Sequence, residues 1–130
     1  MKALTIDDDP HFLKILELHL RNIGYTTTAI QTPGGILKAI SEGKYDLILV
    51  DWMIPEVDGI TVIKAIRSRD RYLGHHTRVI MVTAINNALA RSYAQQSGAD
   101  GFLAKSENPE TFGLQLMNTI RTVMNPAIRT

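Results

Sequence analysis

Five times along this chain a short apolar run gives way to a longer stretch with helical spacing, and no other feature narrows the possible folds so far. The runs are Ala3 to Ile6, Tyr25 to Ile30, Asp46 to Val50, Val79 to Val82 and Gly101 to Ala104. The third, DLILV, is unbroken, as suits a parallel strand buried on both faces. Between them lie the helices. Asp9-Pro10 reads as an N-cap followed by proline at the first helical position. Phe12, Leu13, Leu16, Leu20 and Ile23 then share one face, and Gly24 supplies the stop. Pro33-Gly34-Gly35 reads as a turn, after which Ile36, Leu37 and Ile40 open a second helix ending near Gly43. Met53 to Gly59 is a loop, and a third helix follows with Val62, Ile63 and Ile66 inward. Arg69 to Arg78 is a polar connector, and Asn86 to Ser97 a weakly apolar fourth helix stopped by Gly98. After Asn108-Pro109 a last helix runs to about Met124, with Leu116, Met117, Ile120, Val123 and Met124 as its stripe and Phe112 and Leu114 off it. Strands alternating with helices of this length require right-handed crossovers. The expected fold is α/β: a doubly wound parallel sheet of five strands with helices on both faces.

At 130 residues the chain is the size of one domain, expected over residues 1–125 with a short tail at 126–130. Apolar residues make up 45%, enough for such a core, and the charges nearly cancel to +1. That balance gives no basic face for nucleic acid. The chain has no cysteine, which favours a reducing interior and excludes thiol chemistry. No apolar run approaches the roughly 18 residues of a membrane span, and the start, MKALTIDDDP, turns acidic too early for a signal peptide. A soluble, cytoplasmic protein is expected.

Polar residues end the apolar runs at one recurring place. Asp7 and Asp8 follow the first strand, Asp51 the third, Thr83 the fourth and Lys105 the fifth. In a parallel sheet these C-terminal ends share one edge, where doubly wound folds bind ligands. Taken singly, an acid after a strand is often a helix cap, as Asp9 is; unrelated turns do not explain the whole set. Three gathered carboxylates repel unless a cation joins them. Mg²⁺ suits the set, being hard and content with one or two carboxylates plus waters and phosphate. Asp8 and Asp51 are the expected direct ligands, Asp7 acts through water, and the backbone carbonyl of Met53 completes the set. With no cysteine or histidine at this edge, zinc is disfavoured; His75-His76 read as solvated loop residues. Asp51 can then attack phosphorus to give an aspartyl phosphate, with Lys105 and Thr83 on the phosphoryl oxygens.

At this point the sequence resembles the receiver domains of two-component response regulators. The resemblance rests on IDDDP, DLILVDWMIPEVDG, VIMVTA and GADGFLAK, and covers about residues 2 to 124. It implies a flavodoxin-like sheet in the order 2-1-3-4-5, and Mg²⁺-dependent transfer from a phosphohistidine on a sensor histidine kinase or histidine phosphotransfer protein. It also implies a switch in which Thr83 moves toward the phosphate and Phe102 follows. The working surface would be the fourth helix, fifth strand and fifth helix, facing a downstream target protein or a fused output domain. Homodimerisation through the last helices would use Phe112 and Leu114. Two departures stand out. Ser106 follows Lys105 where the family usually has proline after a cis bond; before a non-proline residue a cis bond costs about 2.5–4 kcal/mol, which leaves open whether this one is cis or trans. Met53 cannot orient an attacking water, so loss of the phosphoryl group should be slow. The chain is either a stand-alone regulator or part of a longer protein.

Two rivals are weaker. A phosphatase of the haloacid dehalogenase type would need a second aspartate where Met53 stands. A receiver-like interaction module that works without phosphorylation would not need Asp51, Thr83 and Lys105 together.

Overall fold

A computed structural model describes residues 1–106 and 108–125; the tail expected at 126–130 lies outside the described residues. The elements run β1 (Lys2–Ile6), α1 (Pro10–Asn22), β2 (Thr26–Ile30), α2 (Pro33–Glu42), β3 (Leu47–Val50), α3 (Gly59–Leu73), β4 (Arg78–Thr83), α4 (Ala88–Ser97), β5 (Gly101–Ala104) and α5 (Pro109–Met124). All strand pairs are parallel, in the order β2-β1-β3-β4-β5, the order that the resemblance implied. None of the described helices is long and apolar enough to cross a membrane.

Alternation along the strands divides the core into two layers. Leu4, Ile6, Ile48, Val50, Val79 and Met81 pack against Ile40 of α2, Ile63 of α3 and Ala94 of α4. Ala3, Leu47, Leu49, Ile80, Val82 and Leu103 pack against Leu16 and Leu20 of α1 and Leu116 and Ile120 of α5. Each large apolar side chain so buried contributes about 1.5–3 kcal/mol over leaving it in water. At the sheet edge, β2 keeps several residues exposed, which is why it tolerates three threonines. Aspartate and asparagine side chains cap four of the helices, Asp9 among them as the sequence suggested. Asp9 accepts from the His11 amide, Asp58 from Thr61, Asn87 from Ala90 and Asn108 from Glu110 and Thr111.

Several local expectations are corrected. Pro33-Gly34-Gly35 is the first turn of α2 rather than a separate turn. The first helical amides have no intrahelical partner, so proline loses nothing there. Leu37 faces water with 69% of its surface exposed, while Ile36 and Ile40 are buried. The segment Arg69 to Leu73, read as connector, extends α3 until Gly74 ends it in the left-handed region at φ 70°. Its polarity misled because Asp70 is buried and satisfied by Arg67, the Thr77 amide and the Thr77 hydroxyl. Phe112 is in the core at 1% exposure, whereas Leu114 is exposed as expected. His75 and His76 are about half exposed, yet each is engaged: His75 Nε2 lies 3.2 Å from Asp70 and His76 Nε2 2.7 Å from Asp100. The buried Asp70 and the part-buried Asp100 draw the two rings out of plain solvation.

Candidate functional site

The sheet's hydrogen-bond ladder continues one residue past three strands and fixes the backbone of the site. The Asp7 amide donates to the Ile30 carbonyl at 3.2 Å, Asp51 to Ile6 at 2.9 Å, and Lys105 to Thr83 at 2.8 Å. Alternation then decides direction. Asp7, Asp51 and Lys105 continue the set that holds Ala3, Leu49 and Leu103, on the α1 and α5 side. Thr83 continues the Val79–Met81 set, on the α4 side.

Lys105 joins the acids. Its Nζ lies 2.8 Å from Asp7 Oδ2 and 3.1 Å from Asp51 Oδ2. Asp7 Oδ1 accepts the Asp9 amide at 3.0 Å, and Asp51 Oδ1 the Met53 amide at 3.4 Å. Asp7 and Asp51 are buried while Asp8 is exposed, and one carboxylate oxygen from each falls within 4.8 Å of the others. Gly59 is needed beneath them, because a Cβ there would collide with the Asp51 carbonyl oxygen.

Asp7 and Lys105 are both held above their ordinary values, for opposite reasons. Burial, aided by the Asp51 charge, holds the Asp7 carboxyl above its ordinary 3.8 despite bonds from Lys105 and the Asp9 amide. For Lys105 burial acts downward, but Asp7 and Asp51 together outweigh it and the ammonium stays charged above its ordinary 10.5. One ammonium therefore does not neutralise the cluster. Clustered oxygen donors with surplus negative charge and one exposed member fit a hard divalent cation.

The structure thus brings Asp7, Asp8, Asp51 and Lys105 together. Met53 contributes its amide, and its side chain is 65% exposed. Thr83 is wholly buried at the end of β4. Its hydroxyl accepts from the Ile85 amide at 3.4 Å, and among the described residues it makes no side-chain bond to Asp51. Phe102 is half-buried against the α4-side layer, with the Arg91 guanidinium 4.8 Å from its ring centroid. The Lys105–Ser106 peptide is trans.

Three contacts escaped sequence reasoning: Arg91 on Phe102, Trp52 against Tyr93 with ring centroids 5.9 Å apart, and Lys105 over the Phe12 ring. The stripe placed Phe12 in the core, but no periodic signal says that its ring ends beside the acidic pocket.

Comparison with known proteins gives the same picture. The profile of the response regulator receiver domain matches residues 3–123. The chemotaxis protein CheY of Pseudomonas aeruginosa is 33% identical over 106 residues, covering 81% of this chain and 84% of that protein. The DNA-binding response regulator MtrA of Mycolicibacterium smegmatis is 30% identical over 84% of this chain, which spans only 46% of MtrA. The structure of the chemotaxis protein CheY4 of Vibrio cholerae superposes with a TM-score of 0.77 at 27% identity, over 94% of this chain and 97% of that one. Matched from its first strand to its last helix, this chain belongs to the response regulator receiver domain family, whose standard function is a phosphorylation-driven switch.

Proposed function

We propose that Asp51 is the phosphoacceptor of this switch and that residues 1–125 form the working unit. Response regulators interact with histidine kinases and output targets; the donor here would be a phosphohistidine on a sensor histidine kinase or histidine phosphotransfer protein. An Asp51 carboxylate oxygen attacks phosphorus, an O–P bond forms as the P–N bond breaks, and the electron pair leaves on the donor imidazole. The observation that carries this is Lys105 lying within 3.1 Å of both Asp7 and Asp51 at the sheet edge. Lys105 is then placed to take a phosphoryl oxygen, and the Thr83 hydroxyl to donate to another.

Asp8 and Asp51 would hold Mg²⁺ directly, with Asp7 through water and the Met53 carbonyl beside them. When bound, the ion supplies neutralisation of the phosphoryl charge. Met53, with its side chain turned outward, leaves no polar group at that position to orient water, so the phosphoryl group should be lost slowly. A phosphoryl lifetime of seconds would overturn that point. Phe102 lies under Arg91 of α4, so a shift of Thr83 and Phe102 would reach the surface of α4, β5 and α5 offered to a target protein or fused output domain. Self-association through α5 would rest on Leu114 and Met117, since Phe112 is in the core. A cytoplasmic location accompanies such a partner set.

Acetyl phosphate with Mg²⁺ should add one phosphoryl group to the intact protein, read by mass. Asp51→Asn and chelation of the metal should each abolish the addition. A protein that stays unmodified with every donor, yet still binds its target, would be an interaction module independent of phosphorylation.

A further inference from the structure

Lys105 carries a flexible four-carbon stem, yet its ammonium must meet one phosphoryl oxygen. Two of its partners are the acids themselves, and one of these, Asp51, is consumed as a free carboxylate when it becomes an acyl phosphate. A third contact does not depend on Asp51. The Lys105 Nζ lies 4.4 Å from the centroid of the Phe12 ring, within the distance of about 6 Å at which a ring face attracts a cation. The ring is itself held. Phe12 is 8% exposed and meets Phe112 edge to face, with centroids 5.3 Å apart and planes at 65°. Phe112 is 1% exposed and belongs to the first turn of α5, its amide donating to Asn108. Phe12 stands in the first turn of α1, three residues after the Asp9 cap. The two helices flanking the pocket therefore clamp the ring against which Lys105 rests.

We propose that Phe12 is a positioning residue for Lys105, its ring face holding the ammonium at the rim of the acidic pocket while Asp51 changes from carboxylate to acyl phosphate. Its effect on phosphoryl transfer rests on the function proposed above; its hold on Lys105 does not. An aliphatic side chain of similar bulk would fill the core but offer no negative face to the ammonium.

The experiment has two arms. In the unphosphorylated protein, the ε-methylene protons of Lys105, assigned by their loss in Lys105→Arg, should be shifted upfield by the Phe12 ring. Phe12→Leu should return them toward ordinary lysine values, Phe12→Tyr should keep them, and the core variant Leu16→Ala should leave them unmoved. With phosphoramidate and Mg²⁺, Phe12→Leu should lower the phosphorylation rate by about 2- to 30-fold, the range that a cation–π contact spans between exposed and desolvated settings. Phe12→Tyr should restore it, and in a Lys105→Ala background Phe12→Leu should cost nothing further. Unmoved methylene signals in Phe12→Leu would overturn the proposal, as would an equal slowing with and without Lys105. A wild-type protein that accepts no phosphoryl group would defeat the proposed function, while the spectrum would still decide what Phe12 does.

Discussion

At the scale of the residue, the acids and the amine of the pocket show how burial and charge compete, and Tyr25 shows the same competition away from it. The Tyr25 phenol is buried among apolar side chains and is held above its ordinary 10.0, first by that burial and then by the charge of Asp46. The unfolded chain therefore gives up this proton at lower pH than the folded one. The stability gained by keeping the phenol neutral is complete below pH 10.0 and is lost as pH rises through the folded value. Lys105, held above 10.5, loses its contribution in the same alkaline direction. Tyr25→Phe should accordingly flatten part of the fall in urea midpoint between about pH 9 and pH 11; an unchanged slope would count against it. Single residues also set the limits of inference from sequence. The connector reading of the segment that holds Asp70 and the off-stripe reading of Phe112 both failed, because polarity and helical phase report average burial and not the partner that a given side chain meets.

At the scale of the element, α4 and α5 stand in contrast. Helix α4 buries only Ala90 and Ala94 and leaves Leu89 at 81% and Tyr93 at 49% exposure. Helix α5 sends Phe112, Leu116, Ile120 and Val123 into the core. A cap should therefore matter differently in each. Removing an N-cap costs about 1 kcal/mol. Asn87 caps α4 through the Ala90 amide at 2.8 Å. Asn87→Ala should appear as roughly 5-fold faster amide exchange confined to α4, because that helix can open without breaking the core. Asn108, which accepts from Glu110 at 3.0 Å and Thr111 at 3.1 Å, should when changed to alanine lower the global unfolding free energy instead. Exchange that rises equally everywhere in Asn87→Ala would refute the distinction. The approximate start of each helix was legible in sequence; its capping residue and how firmly it is attached were not.

At the scale of the whole molecule, Arg67 joins the elements at the edge opposite the acidic pocket. Its guanidinium reaches Asp70 at 2.9 Å, Asp100 at 2.8 Å, the Thr77 carbonyl at 2.6 Å and the Gly98 carbonyl at 2.9 Å. One side chain of α3 thereby secures the entry to β4, the end of α4 and the entry to β5. Arg67→Met should cost about 3–5 kcal/mol, since it removes the cation shared by the buried Asp70 and the part-buried Asp100, and urea unfolding would measure this. A loss below about 1 kcal/mol would show the network to be no stronger than a surface ion pair.

Whatever is local and periodic could be read from the residues in order. Short apolar runs, helical stripes, the Asp9 cap and the polar residues after each strand sufficed for five strands, five helices and an acidic edge. Tertiary structure alone decided what joins residues far apart in the chain. Lys105 meets Asp51 across 54 positions and Arg67 meets Asp100 across 33. The end of a long side chain is set by the packing of neighbouring helices, which no single segment encodes, and so the ring of Phe12 came to lie beneath the lysine only once α1 and α5 had closed on the sheet.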